Sequence, residues 1–185
     1  SAQAGTSFAR FRASSQGGLS WDGPALDGEV EDYVVQIREY LDFGDAPAPF
    51  PTLTADNGAS HLLGGGLYLG ENVDAEPDGQ PAQDARGDDF AGYSDEDGIR
   101  FYEYDNDSPI ITRGWTTHLA VIASAPGMLD AWLDFNGDGD WTDSDEQVFA
   151  SEVLVPGWNE LDFDVPVSAQ AGTSFARFRA SSQGG

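Results

Sequence analysis

Residues 1–18 read SAQAGTSFARFRASSQGG, and residues 168–185 repeat SAQAGTSFARFRASSQGG without a change, 167 positions later. Inside the first copy Ala9, Phe11 and Ala13 alternate with Arg10 and Arg12, the two-residue period of a half-buried strand. An identical match of eighteen residues marks a tandem array, so the chain reads as slightly more than one period of a longer repeat. Outward from these copies, short runs of β-branched and aromatic residues alternate with Gly, Pro, Asn and Asp. Strands are expected near 6–13, 30–38, 99–104, 117–124, 129–134, 147–153, 159–165 and 173–180. No stretch keeps a helical period for three turns.

The fold expected is all-β. Seven strands counted from Ile99 round to a copy of residues 30–38 make an immunoglobulin-like antiparallel β-sandwich. In that phasing residues 1–42 are the C-terminal strands of one sandwich. Residues 43–98 form an Asp/Gly/Pro-rich linking segment, in which 67–69 is the clearest strand. Residues 99–185 are the N-terminal strands of a second sandwich, completed by a copy of 19–42 from the same chain or from a neighbour. A loop-rich segment of this length needs something to hold it, and bound calcium would serve.

Charge narrows the functions. The chain carries 33 acidic residues against 8 basic ones, a formal charge of −25 in 185 residues. Nucleic acid is excluded as a partner, because no positive excess exists to displace counterions from phosphate. No apolar run reaches the roughly 18 residues that a membrane helix needs, so membrane insertion is not expected. Cysteine is absent, which removes disulfides, thiolate metal sites and cysteine nucleophiles. Lysine is absent too, removing Schiff bases and Walker-type phosphate loops. Asp outnumbers Glu by 23 to 10, and Asp is the short carboxylate that oxygen-ligand metal loops use. The polyanion points to cations.

The sharpest local signal is Asp134-Phe-Asn136-Gly-Asp138-Gly-Asp140-Trp-Thr-Asp-Ser-Asp145-Glu146. Oxygen side chains at 134, 136, 138 and 140 converge on one ion when Gly137 and Gly139 let the backbone curl. The spacing follows the calcium-loop pattern D-x-[DN]-x-[DN]-G, with Asp145 at the closing position and Glu146 as its rival. Apolar strands enter and leave the loop, which places it on a β-hairpin. A second ion site is expected among Asp74, Glu76, Asp78, Asp88, Asp89, Asp95 and Asp97, with Asp42 and Asp45 able to join. Carboxylates this dense repel one another unless solvated or bridged by cations.

Residues 28–32 read Gly-Glu-Val-Glu-Asp, and residues 175–179 read Phe-Ala-Arg-Phe-Arg. Together with Ala131-Trp-Leu-Asp-Phe-Asn-Gly-Asp-Gly-Asp140-Trp, they resemble the GEVED domain of bacterial secreted and surface proteins. The linking segment is similar to stretches found between such domains, in Asp42-Phe-Gly-Asp45, Gly58-Ala-Ser-His61 and Asp95-Glu-Asp-Gly98. The resemblance implies β-sandwich modules within long extracellular proteins, and no catalytic residues. Within the signature, Val30 and Tyr33-Val-Val35 supply strand packing, and Glu29, Glu31 and Asp32 are expected to meet Arg177 and Arg179 across a sheet.

The function expected is a non-enzymatic, calcium-binding structural repeat of an extracellular adhesin, biofilm matrix or filament, whose partners are neighbouring copies. The alternative is a glycan-binding module using exposed Trp21, Trp115 or Trp158, since Trp132 and Trp141 bracket the loop and pack. His61 and His118 stand 57 positions apart in no catalytic or zinc spacing. A hydrolase is the weakest reading, because an acid-rich chain supplies carboxylate pairs by accident.

Overall fold

A computed structural model of the chain describes residues 4–87, 97–105 and 108–185. They fall into two compact units, Ser1–Glu39 and Tyr40–Gly185. The sequence reading divides the chain at 42/43 and at 98/99. The linking segment, however, shares one unit with residues 99–185.

The first unit is a two-stranded antiparallel sheet of β1 (Gly5–Ala13) and β2 (Glu29–Ile37), in register from Gly5↔Ile37 to Ala13↔Glu29. The GEVED strand thus takes as its partner the first copy of the repeated sequence. Arg10 donates from both Nε and Nη2 to Asp32, each at 2.7 Å. Arg177 and Arg179, the partners expected for Glu29, Glu31 and Asp32, instead bond Pro51, Thr52 and His61, and Asp32 is met by Arg10 of the first copy. Arg12 donates to the carbonyls of Ser20, Asp22 and Gly23 and so organises the connection between the strands. Phe11 and Tyr33 meet edge-on at 5.8 Å. Phe8 and Phe11 nonetheless remain 79% and 61% exposed, because two strands have no second layer to cover them.

The second unit opens with β3 (Leu41–Phe43) paired to β4 (Ser60–Leu62), followed by β5 (Ile99–Phe101) and a small hairpin of β6 (Tyr104–Asp105) and β7 (Ser108–Pro109). Then come β8 (Thr116–Ala123), β9 (Gly127–Leu133), β10 (Gln147–Leu154), β11 (Gly157–Asp164) and β12 (Ala176–Ser181). Two three-stranded antiparallel sheets result, in the orders β10-β9-β12 and β11-β8-β5. Leu119, Val121 and Ala123 of one sheet share a core with Leu129, Ala131 and Leu133 of the other. Phe149–Phe163 and Phe101–Phe178, edge-on at 6.0 and 6.2 Å, join the sheets. The architecture is the all-β, antiparallel one that the alternation predicts.

The differences are local. The expected strand 99–104 ends at Phe101. The expected strand 173–180 begins only at Ala176, because Ser174 donates to the Asp134 carbonyl and the Phe175 carbonyl accepts from Asp134 N, fixing both to the 134–146 loop. Residues 67–69 contribute a single bridge, Leu69↔Ala123, and β3 and β4 were not expected.

Candidate metal centre

The loop from Asp134 to Glu146 joins β9 to β10, and its two ends are tied where Leu133 N donates to the Glu146 carbonyl at 2.9 Å. Gly137 and Gly139 both adopt positive φ, 73° and 88°, where a side chain would be strained. A Cβ on Gly139 would also lie 2.4 Å from the Pro49 ring. The two glycines curl the chain around Asp134, whose Oδ1 and Oδ2 accept from Gly137 N (2.5 Å) and Gly139 N (3.1 Å). Asn136 Oδ1 accepts from Asp138 N at 2.8 Å, and Asn136 Nδ2 donates to Asp138 Oδ2 at 2.9 Å.

Asp134, Asp138 and Glu146 each place a carboxylate oxygen within 4.8 Å of the others. Calcium–oxygen distances of 2.3–2.6 Å put ligand oxygens up to about 5 Å apart across the ion, so the group has calcium's size. Glu146 closes the loop. It is 1% exposed, with Oε1 accepting from Phe135 N and Oε2 from Asp143 N. Asp145 is exposed and lies outside the group. Burial pushes the Glu146 carboxyl above its ordinary range, and repulsion from Asp134 and Asp143 adds to this against the pull of the two N–H donors. A cation would relieve that penalty. Asp140 turns the other way and accepts from Thr142 Oγ1 and N, which hold it below the usual carboxylate range.

The donor set is entirely oxygen, which fits a hard cation such as calcium. The sequence named every member of the group. It put Asp145 at the closing position with Glu146 as the rival, whereas the group contains Glu146, because spacing leaves the side-chain direction open by one residue. The aromatic support of the loop was legible only in part. Trp141 donates from Nε1 to the Phe175 carbonyl at 3.1 Å, stacks on Phe50 at 4.3 Å, and receives the Arg177 guanidinium at 4.3 Å.

The other acidic candidates divide. Asp88, Asp89 and Asp95 lie outside the described residues. Asp78 accepts from Thr54 N (2.7 Å), Thr54 Oγ1 (2.9 Å) and Gly79 N (3.0 Å), bonds that lower its pKa, the Thr54 backbone first. Asp97 accepts from Glu71 N through both oxygens. Glu76 is buried and accepts from Phe43 N, and Asp45 accepts from Gln80 N and Gly87 N. Asp74 is half-buried. Asp45, Glu76, Asp78 and Asp97 thus tie loop backbone together through their carboxylates, so part of the linking segment's acidity serves as internal scaffolding. Among the described residues, Asp134, Asp138 and Glu146 are the acidic group close enough to share an ion.

His118 pairs with Asp162 at 2.6 Å on the surface, and His61 Nε2 accepts from Arg179 Nε at 3.0 Å. Trp21, Trp115 and Trp158 are 75%, 72% and 57% exposed.

No curated protein and no solved structure matches the chain. A family model does: residues 128–185 match that of the GEVED domain. The match takes in nearly all of β9, the 134–146 loop, β10, β11 and β12, while the Gly28–Asp32 signature itself lies outside it. The likeness to the GEVED domain is thus a likeness of residues 128–185.

Proposed function

We propose that the protein is a calcium-rigidified, non-catalytic structural repeat of a long extracellular protein, of the kind that builds adhesins, matrices or filaments, and that its partners are neighbouring copies of itself. The observation that carries this reading is the oxygen-only loop in which Asp134, Asp138 and the buried Glu146 converge. A formal charge of −25 opposes compaction until cations neutralise part of it, which gives the loop a structural purpose. The eighteen-residue identity between 1–18 and 168–185 supports a spacer, since a spacer gains from copy number more than from individual sites.

Calorimetric titration with calcium tests the reading, with Glu146→Gln as the control. Binding by the unaltered chain and its loss in the variant are expected. At a hundredfold excess over its dissociation constant, calcium should raise stability by about 2.7 kcal/mol. Absence of heat and of any stability change in calcium would overturn the calcium role. The exposed Trp21, Trp115 and Trp158 favour a second reading, a glycan-binding module. Binding to a polysaccharide panel that is lost on their substitution would establish it.

A further inference from the structure

The linking segment rests on the 134–146 loop. Trp141, between Asp138 and Glu146, lies against Phe50 with ring centroids 4.3 Å apart and planes at 28°. Phe50 is 6% exposed and also meets Phe175 at 5.3 Å. One residue before Phe50, Pro49 packs on Gly139, so closely that a Cβ on that glycine would lie 2.4 Å from the proline ring. After Phe50, the Pro51 carbonyl and the Thr52 hydroxyl accept from Arg177 at 2.8 and 3.2 Å. The same guanidinium lies 4.3 Å from the centre of the Trp141 ring. Residues 49–52 therefore touch the loop directly at Gly139 and Trp141, and a third time through Arg177. All these contacts lie within the Tyr40–Gly185 unit.

More of the segment is built on those four residues. Thr52 is buried and donates to the Ala46 carbonyl at 2.7 Å. Its own carbonyl would lie 2.1 Å from a Cβ on Gly58 and 2.5 Å from one on Gly79, so two turns far apart in sequence close upon it. Thr54 donates from N and Oγ1 to Asp78. A shift of Thr52 therefore disturbs residues 46–58 and 78–79 together. On the loop side, like charge drives the Asp134, Asp138 and Glu146 carboxylates apart when no cation lies between them. Asp138 is exposed and Glu146 buried, so Asp138 is the one that yields. The chain between these two carries Gly139 and Trp141, the contacts of Pro49 and Phe50.

We propose that the 134–146 loop is a cation-operated latch for the linking segment. A cation shared by Asp134, Asp138 and Glu146 fixes Gly139 and Trp141 and so holds residues 49–52 on the sandwich. Its removal frees Asp138, loosens Trp141 and releases the segment from residue 46 to residue 58. Such coupling is reciprocal: the factor by which the cation favours the docked segment is the factor by which docking tightens the cation. The latch rests on the calcium reading of the loop and adds the place where the ion acts. In a repeat, the segment is then a firm spacer in calcium and a slack one without it.

Amide exchange of the full chain, in calcium and in chelator, tests the latch, with calcium affinity measured by calorimetry alongside. The amides of Phe50, Thr54, Asp56 and Gly58 bond Pro47, Asp78 and Leu53 within the segment. They should exchange at least about tenfold more slowly in calcium, within the range of measured couplings between sites. Gly70 bonds the Ile122 carbonyl of β8 instead, and its exchange should change by less than about twofold. Phe50→Leu removes the stacked ring and keeps an apolar side chain. In that variant residues 50–58 should exchange fast in both conditions. Its calcium affinity should fall by the factor that calcium imposes on exchange in the unaltered chain. Pro49→Ala, at a separate contact, should shift both readouts in the same direction and serves if Phe50→Leu does not fold. Calcium that binds while exchange at 50–58 stays the same, or slows equally at Gly70, overturns the latch and leaves the calcium reading standing. Full calcium affinity in a folded Phe50→Leu overturns it too. An unaltered chain that takes up no calcium removes the calcium reading and the latch together.

Discussion

The same eighteen residues sit in two settings. In residues 1–18 Phe11 is 61% exposed and, among the described residues, its one aromatic contact is with Tyr33. In residues 168–185 its counterpart Phe178 packs on the sandwich core and meets Phe101 across the sheets. Phe8 is 79% exposed, while its counterpart Phe175 contacts Phe50 at 5.3 Å and accepts a bond from Trp141. Identical sequence gives a strand in both places, so strand formation is local here. Burial is not local: in the second copy it comes from the second sheet and from the 134–146 loop.

The largest expected effect contrasts the two phenylalanines. Phe178→Ala should cost about 3 kcal/mol in urea unfolding, the low end for a core phenylalanine, because it removes a ring shared by both sheets. Phe11→Ala should stay within about 0.5 kcal/mol. Equal costs would break the comparison. Next come the arginines. Arg177 bonds the Pro51 carbonyl at 2.8 Å and stacks on Trp141, with burial first and then Arg179 lowering its pKa to about 10. Arg177→Ala should cost about 1.5–3 kcal/mol, the range for a hydrogen bond from a charged group. Arg10→Ala breaks an exposed pair and should leave the melting temperature unchanged.

The smallest effect is a pH dependence confined to the second copy. Arg12 donates to the carbonyls of Ser20, Asp22 and Gly23, whereas its counterpart Arg179 donates to His61 Nε2, which must then be unprotonated. Burial, then the Arg179 charge, holds the His61 pKa below 6.5. A histidine whose pKa is lower folded than unfolded stabilises the fold above 6.5, and that stability is lost as pH falls toward the folded value. The melting temperature of the unaltered chain should therefore drop more between pH 7 and pH 5 than that of His61→Asn. Identical drops would remove His61 from the account.

Much of this was legible in advance, for reasons visible in particular residues. The alternation at Phe8–Ala13 and the apolar runs around Leu119 and Leu129 place strands, since period and burial coincide there. The loop was legible because glycine and oxygen side chains alternate from Asp134 to Asp140. The pairing of β2 with β1 was not, because an identical strand offers two equivalent partners and sequence does not rank them. Nor was the role of Asp45, Asp78 and Asp97, since a carboxylate that accepts backbone N–H groups looks the same in sequence as one that binds an ion. The short β3–β4 pair was missed because three residues are too few for a period to register.

Hydrogen exchange in calcium and after chelation tests the central claim most directly, because it reads each setting of the repeated sequence separately. Calcium should slow exchange across residues 134–146 and in the adjoining β9, β10 and β12, and leave Gly5–Ala13 unchanged. The Glu146→Gln variant should show the chelated pattern in both conditions. Exchange at 134–146 that is the same with calcium and without it would contradict the account.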